Sequence, residues 1–296
     1  MLKHTTSGKL ASLLGVFVLC LSGAGLTGPT SLAKADEISS DSVSPVGVDG
    51  QGNPLEFTPE LAAAASQESS AAGGVVEAYS PEDRGGWKII GPDGRQRITN
   101  TTDFPNRAIV YIHQSDGTQH CTGWLVSADT LVTAGHCIYG KNGWNFDLEY
   151  SPGANEAERP YGTAKAARMW TDTSWISNRE SKLDWAIVKL SQSFPQVGHF
   201  GYRWQSASLD GTKVDIRGYP GDKPHGEMWG MAGTITRSEA NNLYYQIDTA
   251  PGQSGSPVFL GDVNQSVAIH RGGDKEKNQS TRITESLFNV ISELRR

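Results

Sequence analysis

Gly252-Gln253-Ser254-Gly255-Ser256-Pro257 sets a serine hydroxyl among small residues that leave the neighbouring backbone N–H groups uncovered. A nucleophile needs that exposure. If the Ser254 oxygen attacks a carbonyl carbon, the N–H groups of Gly252 and Ser254 can meet the oxygen that becomes negative, forming an oxyanion hole. Glycine at position 252 keeps a Cβ out of both the turn and the path of a substrate. Gly, Ser and Pro also gather in ordinary surface turns, so these six residues alone leave a plain turn open.

Two upstream stretches tip the balance. Leu131-Val132-Thr133-Ala134-Gly135-His136-Cys137 is an apolar, β-prone run that delivers a histidine, the natural proton acceptor near neutral pH. Leu183-Asp184-Trp185-Ala186-Ile187-Val188-Lys189-Leu190 puts a carboxylate at the head of an apolar run that reads as a buried strand. A buried Asp must be satisfied, and an imidazole N–H would satisfy it while fixing the histidine tautomer. Singly, His136 could be a core histidine and Asp184 a strand-end cap. In the order His, Asp, Ser they form the pattern of acyl transfer through an activated serine.

Thr133-Ala134-Gly135-His136-Cys137, Asp184 ahead of Ala186-Ile187-Val188, and Gly252 to Pro257 resemble the three catalytic blocks of chymotrypsin-fold serine proteases. Ile98-Thr99-Asn100-Thr101-Thr102, Cys121-Thr122-Gly123-Trp124, Gly218-Tyr219-Pro220-Gly221-Asp222-Lys223 and Ala268-Ile269-His270 resemble, more narrowly, the bacterial glutamyl endopeptidases of the V8 type. The resemblance runs from about residue 88 to Arg296. It implies an acyl-enzyme mechanism with Ser254 as nucleophile, His136 as base, Asp184 orienting it, and Gly252 and Ser254 N–H groups as the oxyanion hole. It also maps Thr249 and His270 onto the pocket that receives a substrate carboxylate, which implies cleavage after Glu and then Asp. A hydroxyl and an imidazole can both donate to a carboxylate, and charge-assisted hydrogen bonds are the stronger kind.

Two departures qualify that reading. Asp248 stands where trypsin-like enzymes keep the carboxylate that selects Arg and Lys, so a tryptic enzyme is the rival; glutamyl selectivity requires Asp248 to point away into a hydrogen-bonded wall. Gln253 replaces the Asp that in the chymotrypsin pattern pairs with the new N-terminal amine, and a neutral amide cannot form that ion pair. The resemblance instead implies that the amine of a mature N-terminus, Lys88 or Ile89, approaches the substrate carboxylate. The cut follows Trp87 or Lys88, not an acid, which calls for a separate activating protease; a cut after Lys88 would suit a tryptic enzyme that processes itself. A secreted homologue that only binds a partner is the third reading, which the complete triad disfavours.

The chain of 296 residues divides unevenly. Residues 1–35 read as a secretory signal, with Lys3 and Lys9 at the start, an apolar core from Leu10 to Leu21, and Ala33-Lys34-Ala35 as a cleavage site. The apolar core is too short for a mature spanning helix, and Val18 and Leu19 ahead of Cys20 argue against a lipoprotein anchor. Without Cys20, Cys121 and Cys137 remain, which in an exported protein predicts one disulfide worth about 3 kcal/mol on chain-entropy grounds; two buried thiols are the alternative. Residues 36–87 carry ten acidic residues against the single Arg84. With a low-complexity patch at Ala62-Ala63-Ala64-Ala65-Ser66, they read as a propeptide that buries little, either an occluding segment or a folding aid; an interdomain linker is the alternative. The protease domain, 88–296, holds 22 residues of each sign, and a neutral domain without a basic stripe gives nucleic acid no support as a partner.

From Lys88 onward, short apolar runs alternate with Gly and Pro. Strands are predicted at 108–112, 130–133, 185–190, 213–216, 233–236, 244–247 and 266–269. Many short strands without alternating helices predict an all-β fold. The resemblance implies two Greek-key β-barrels, with His136 and Asp184 in the first and Ser254 in the second. Ile283, Leu287, Phe288, Ile291 and Leu294 are spaced for an amphipathic C-terminal helix against the second barrel; with Arg295 and Arg296 its only cations, a membrane-surface helix is disfavoured.

Competing chemistries find little. An α/β-hydrolase elbow needs G-x-S-x-G with the histidine last, whereas position 256 is Ser. His113, His120, His199 and His225 are scattered without H-E-x-x-H, so no metal is expected, and no glycine-rich strand-to-helix turn supports a nucleotide cofactor. The expectation is a monomeric, secreted bacterial serine endopeptidase that acts on proteins or peptides without a cofactor and leaves the membrane on export.

Overall fold

The computed structural model describes residues 42–66, 72–78, 94–273 and 277–296, all within one compact unit. The signal at 1–35 and the predicted cut beside Lys88 lie outside the described residues. The first elements are β1 (Pro45–Asp49), α1 (Pro59–Ser66), β2 (Gly73–Val76) and β3 (Gln96–Ile98). A first set of strands follows: β4 (Ile109–His113), β5 (Gln119–Leu125), β6 (Thr130–Thr133), β9 (Glu149–Pro152), β10 (Ala164–Asp172) and β11 (Ala186–Leu190). Between them lie α2 (Gly135–Ile138), the small hairpin of β7 (Tyr139–Gly140) and β8 (Gly143–Trp144), and α3 (Thr173–Asn178). The second set begins with β12 (Gly201–Gln205), β13 (Lys213–Gly218), β14 (Met228–Ser238) and β15 (Asn242–Tyr245). It ends with β16 (Pro257–Leu260), β17 (Gln265–Gly273), β18 (Asn278–Arg282) and α4 (Glu285–Leu294).

Both sets close into six-stranded barrels with the same order. The ring β4-β5-β6-β11-β10-β9 returns to β4, and the ring β13-β14-β15-β18-β17-β16 returns to β13. Closure removes the free edges that make open sheets sticky. Ile109 to Ile112 and Ala186 to Val188 are fully buried, so these strands of the first barrel are covered on both faces, and Val214, Ile235, Leu243, Tyr245 and Val258 cluster in the core of the second. The predicted strands all appear, 130–133 with the same bounds and the others with shifted ends, and the helix spans Glu285–Leu294, with Thr284 Oγ1 accepting from the N–H of Leu287.

The segment between 36 and 87 departs from the expectation. Its composition predicted little burial, yet Val43, Val48, Leu61 and Ala65 are buried, and the alanine patch is part of α1 rather than unstructured chain. The reason is pairing: β1 adds to β10, β2 adds to β12, and α1 packs on α4. Four apolar side chains suffice when the main chain can borrow partners from strands already built.

Candidate active site

His136 sits on α2, directly after the strand β6 that the apolar run forms, with a third of its side chain exposed. Asp184 precedes β11 and is buried. Its Oδ2 lies 2.8 Å from His136 Nδ1, and its Oδ1 accepts from the His136 backbone N–H at 2.8 Å. Both carboxylate oxygens are thereby satisfied, and Nδ1 carries the proton, leaving Nε2 free to accept one. Burial disfavours the imidazolium, but the charge and hydrogen bond of Asp184 outweigh it, so the His136 pKa is raised above its ordinary value.

Ser254 follows β15 and precedes β16. Its carbonyl accepts from the N–H of Thr122 at 2.9 Å and lies 3.7 Å from Sγ of Cys137, the residue next to His136. The structure therefore sets the predicted nucleophile beside the turn that carries the predicted base. The Ser254 hydroxyl donates toward the Arg271 carbonyl at 3.5 Å, the limit of a hydrogen bond; among the described residues no hydrogen bond joins it to His136. Catalytic bonds of this kind are commonly long before substrate arrives.

The turn before Ser254 is held from several sides. Thr122, fully buried on β5, donates from Oγ1 to the Gly252 carbonyl at 2.9 Å and accepts from the Tyr219 N–H at 2.9 Å. Gln119 Nε2 donates to the Tyr219 carbonyl, and the Gln253 side chain accepts from the Ala250 N–H at 3.0 Å. Gln253 thus closes the turn itself, where the chymotrypsin pattern has an ion pair. Gly252 adopts φ of +98°, and a Cβ there would approach the Tyr219 carbonyl to 2.7 Å, which fixes glycine at that position. Among the described residues, the N–H groups of Gly252 and Ser254 have no protein acceptor.

A cleft of about 540 Å³ brings Ser254 together with Asp248, Thr249, His270, Arg271 and Lys277. His270 is buried, and its Nδ1 lies 2.7 Å from the Tyr245 hydroxyl. Burial, then the charges of His136 and Arg271, push its pKa down to about 3, so the ring is neutral across the physiological range. If the Tyr245 hydroxyl donates to Nδ1, the ring proton sits on Nε2. The Arg271 guanidinium bonds to neutral acceptors, namely the Ser181 carbonyl, Asn242 Oδ1 at 2.8 Å and Gln279 Oε1 at 3.1 Å. Asp248 does not meet the expectation of a hydrogen-bonded wall: it is exposed at the cleft, its carboxylate has no hydrogen-bond partner among the described residues, and its N–H faces Met231 Sδ at 3.2 Å.

The predicted disulfide is present. Cys121 and Cys137 are joined with Cα atoms 6.0 Å apart, tying β5 to the His136 turn. The scattered histidines are held locally: His113 by the Gln114 carbonyl and Ser151, His120 by the Cys137 carbonyl, His199 by the Phe200 carbonyl. Cys121, His136 and Cys137 form the one His, Cys and carboxylate cluster close enough for a metal among the described residues, but both sulfurs are committed to the bridge. Sequence reasoning missed Arg271, Tyr245, Gln119 and the Thr122 side chain. Tyr245 and Thr122 lay inside quoted stretches, yet nothing local marks their partners, which lie 25 and 130 residues away.

The sequence profile of the trypsin family matches residues 94–290. The chain belongs to the trypsin family. This trypsin-family chain is 42% identical over 217 residues to a glutamyl endopeptidase of Bacillus licheniformis, covering 69% of this chain and 68% of that protein. It is 38% identical over 213 residues to a Bacillus subtilis protein named extracellular metalloprotease, again covering 69% and 68%. A solved structure of a Glu endopeptidase in complex with MPD superposes with a TM-score of 0.63 at 30% identity, over 70% of this chain and 99% of that one. The protein is a serine endopeptidase of this family, and its two barrels are chymotrypsin-like. No helix among the described residues is long and apolar enough to cross a membrane.

Proposed function

We propose that the protein hydrolyses peptide bonds after Glu, and less readily after Asp, through an acyl-enzyme on Ser254. The observation that carries this reading is the neutral, buried His270 sharing one cleft with Ser254 and Thr249. A neutral imidazole whose Nδ1 is occupied by Tyr245 presents Nε2–H as a fixed donor, and Thr249 adds a hydroxyl. Arg271 and Lys277 against Asp248 leave the cleft lining with a net positive charge, which favours an anionic side chain.

In the proposed cycle His136 takes the Ser254 proton as the oxygen attacks, and Asp184 stabilises the resulting imidazolium. The N–H groups of Gly252 and Ser254 receive the tetrahedral oxyanion. His136 then protonates the leaving amine, and water repeats the sequence on the ester. Among the described residues no donor set favours a metal-dependent route, because the one candidate cluster has its sulfurs in a disulfide and His136 Nδ1 on Asp184.

Export from a bacterial cell, residues 36–87 as a prosegment removed by a separate protease, and a monomeric mature enzyme belong to the same proposal. The new amine at Lys88 or Ile89 would then add charge near the substrate carboxylate. A second reading rests on Asp248, whose exposed carboxylate at the cleft could recruit Arg or Lys. Otherwise identical peptides with Glu, Asp, Gln, Arg or Lys before the cleaved bond separate the two: Glu turns over fastest if the proposal holds, and faster cleavage after Arg overturns it.

A further inference from the structure

Residues 42–66 and 72–78 pair with strands of both barrels, and none of them lines the cleft. The strand β1 runs antiparallel to β10 from Pro45 opposite Asp172 to Asp49 opposite Arg168. Its approach is anchored by the Ser44 N–H donating to Asp172 Oδ2 at 2.7 Å and the Thr173 N–H donating to the Ser44 carbonyl at 2.9 Å. Leu61 and Ala65 of α1 are buried where α1 meets α4. The strand β2 then runs antiparallel to β12, from Gly73 opposite Gln205 to Val76 opposite Tyr202, and Gln265 Nε2 donates to Glu77 Oε2 at 2.6 Å. The residues lining the cleft all lie between 246 and 278.

The fit is specified from both sides. A Cβ on Gly201 would collide with the Val76 carbonyl and the Ala78 N–H, and a Cβ on Gly47 would collide with the Trp170 ring and lie 2.7 Å from the Met169 carbonyl. Neither glycine has a positive φ, so close approach rather than backbone conformation demands the missing side chain. Gly201 belongs to the protease domain, and the close contact that its missing side chain makes room for is with the crossing segment.

We infer that the pairing edges of β10 and β12, with the face of α4 that α1 covers, form a docking surface for the chain's own segment 42–78, which stays bound as a separate polypeptide after the connecting chain is cut and leaves the cleft open. This rests on reading residues 36–87 as a prosegment; the binding surface itself does not depend on which protease cuts, or on Glu selectivity. An edge strand pairs through its main chain, and alternate side chains supply the specificity. Such a ligand stabilises the folded body without competing with substrate.

The test uses the full chain with Ser254→Ala and a site for a specific protease inserted between residues 79 and 93. After nicking, gel filtration should return the fragment and the body together. Gly47→Ala, which lies on the fragment and cannot disturb the body, and Gly201→Ala should each weaken the complex at least tenfold by dilution. In the nicked protein with Ser254 intact, adding excess synthetic 42–78 should leave KM for a short peptide unchanged. A fragment that separates from the unsubstituted body, or one that raises KM in proportion to its concentration, overturns the inference. A body that holds the fragment but hydrolyses no peptide would instead refute the proposed activity and leave the docking intact.

Discussion

His136 is governed by two opposed influences, burial against its cation and the Asp184 carboxylate in favour of it, and the carboxylate prevails. A base must be neutral to accept a proton, so kcat/KM should fall as pH drops through a His136 pKa that lies above the ordinary 6.5. Asp184→Asn leaves burial unopposed: the acid limb of the pH profile should move to lower pH, and turnover should drop by about 10⁴, the loss seen for this substitution in the Ser-His-Asp template. A profile that keeps its midpoint after the substitution would mean that Asp184 does not tune the ring. Arg271 offers a second single-residue test. Its guanidinium bonds to neutral acceptors at the cleft, so Arg271→Met should lower kcat/KM for a Glu peptide by roughly tenfold, in keeping with a partly screened charge. The matched Gln peptide should be cleaved at the same rate as before. Equal losses on both peptides would point to a purely structural arginine.

At the scale of elements, the cleft depends on β5 reaching across to the turn before Ser254. Thr122 serves two backbone groups of the second barrel from a buried position in the first. Thr122→Val would leave the Tyr219 N–H unpaired, a cost of about 1–3 kcal/mol for a buried group, and the Gly252 carbonyl with only the 3.5 Å contact from Gln119 Nε2. It should lower kcat more than it raises KM, because the turn supplies the oxyanion donors, while Thr122→Ser should restore kcat. The disulfide on the same strand closes a loop spanning 16 residues, and replacing both cysteines by serine should reduce stability by about 3 kcal/mol in a urea titration. The sequence showed the strands that carry chemistry because apolar, β-branched runs lead into His136 and away from Asp184. It hid β18, Asn278 to Arg282, whose buried members are Ser280, Thr281 and Arg282. No hydrophobic alternation exists there to be read; the strand forms because β15 and β17 offer ladders on both sides. All of β10 was hidden likewise, since Lys165 and Arg168 interrupt a run whose place is fixed by its neighbours.

On the scale of the whole molecule, two barrels of identical strand order meet through Thr122, the Ser254 carbonyl and Thr281, whose hydroxyl donates to the Asp184 carbonyl at 3.3 Å. The barrel pair followed from the family resemblance and the disulfide from the count of cysteines, while His136, Asp184 and Ser254 were singled out by short motifs because each motif is a local arrangement of atoms. The pocket was legible only in part: Thr249 and His270 followed from resemblance, whereas the Tyr245 bond that leaves His270 Nε2 as the donor is a contact between two strands. The course of residues 42–78 was not legible, since weak apolar content says nothing about borrowed partners. Because that segment binds both barrels, its removal should lower the melting temperature measured by calorimetry, and adding it back should raise the temperature with concentration. An unchanged melting temperature would show that the crossing contributes nothing to the body's stability.

Both cysteines of the Cys121–Cys137 bridge are almost fully buried, which shields the formed bridge from thiol exchange, and Cys137 adjoins His136. Before the bridge forms, the chain carries its imidazole on an untethered turn, and such a bridge forms where oxidants prevail. Export, proposed above for this chain, would in this way tie full turnover to the place where the bridge can form.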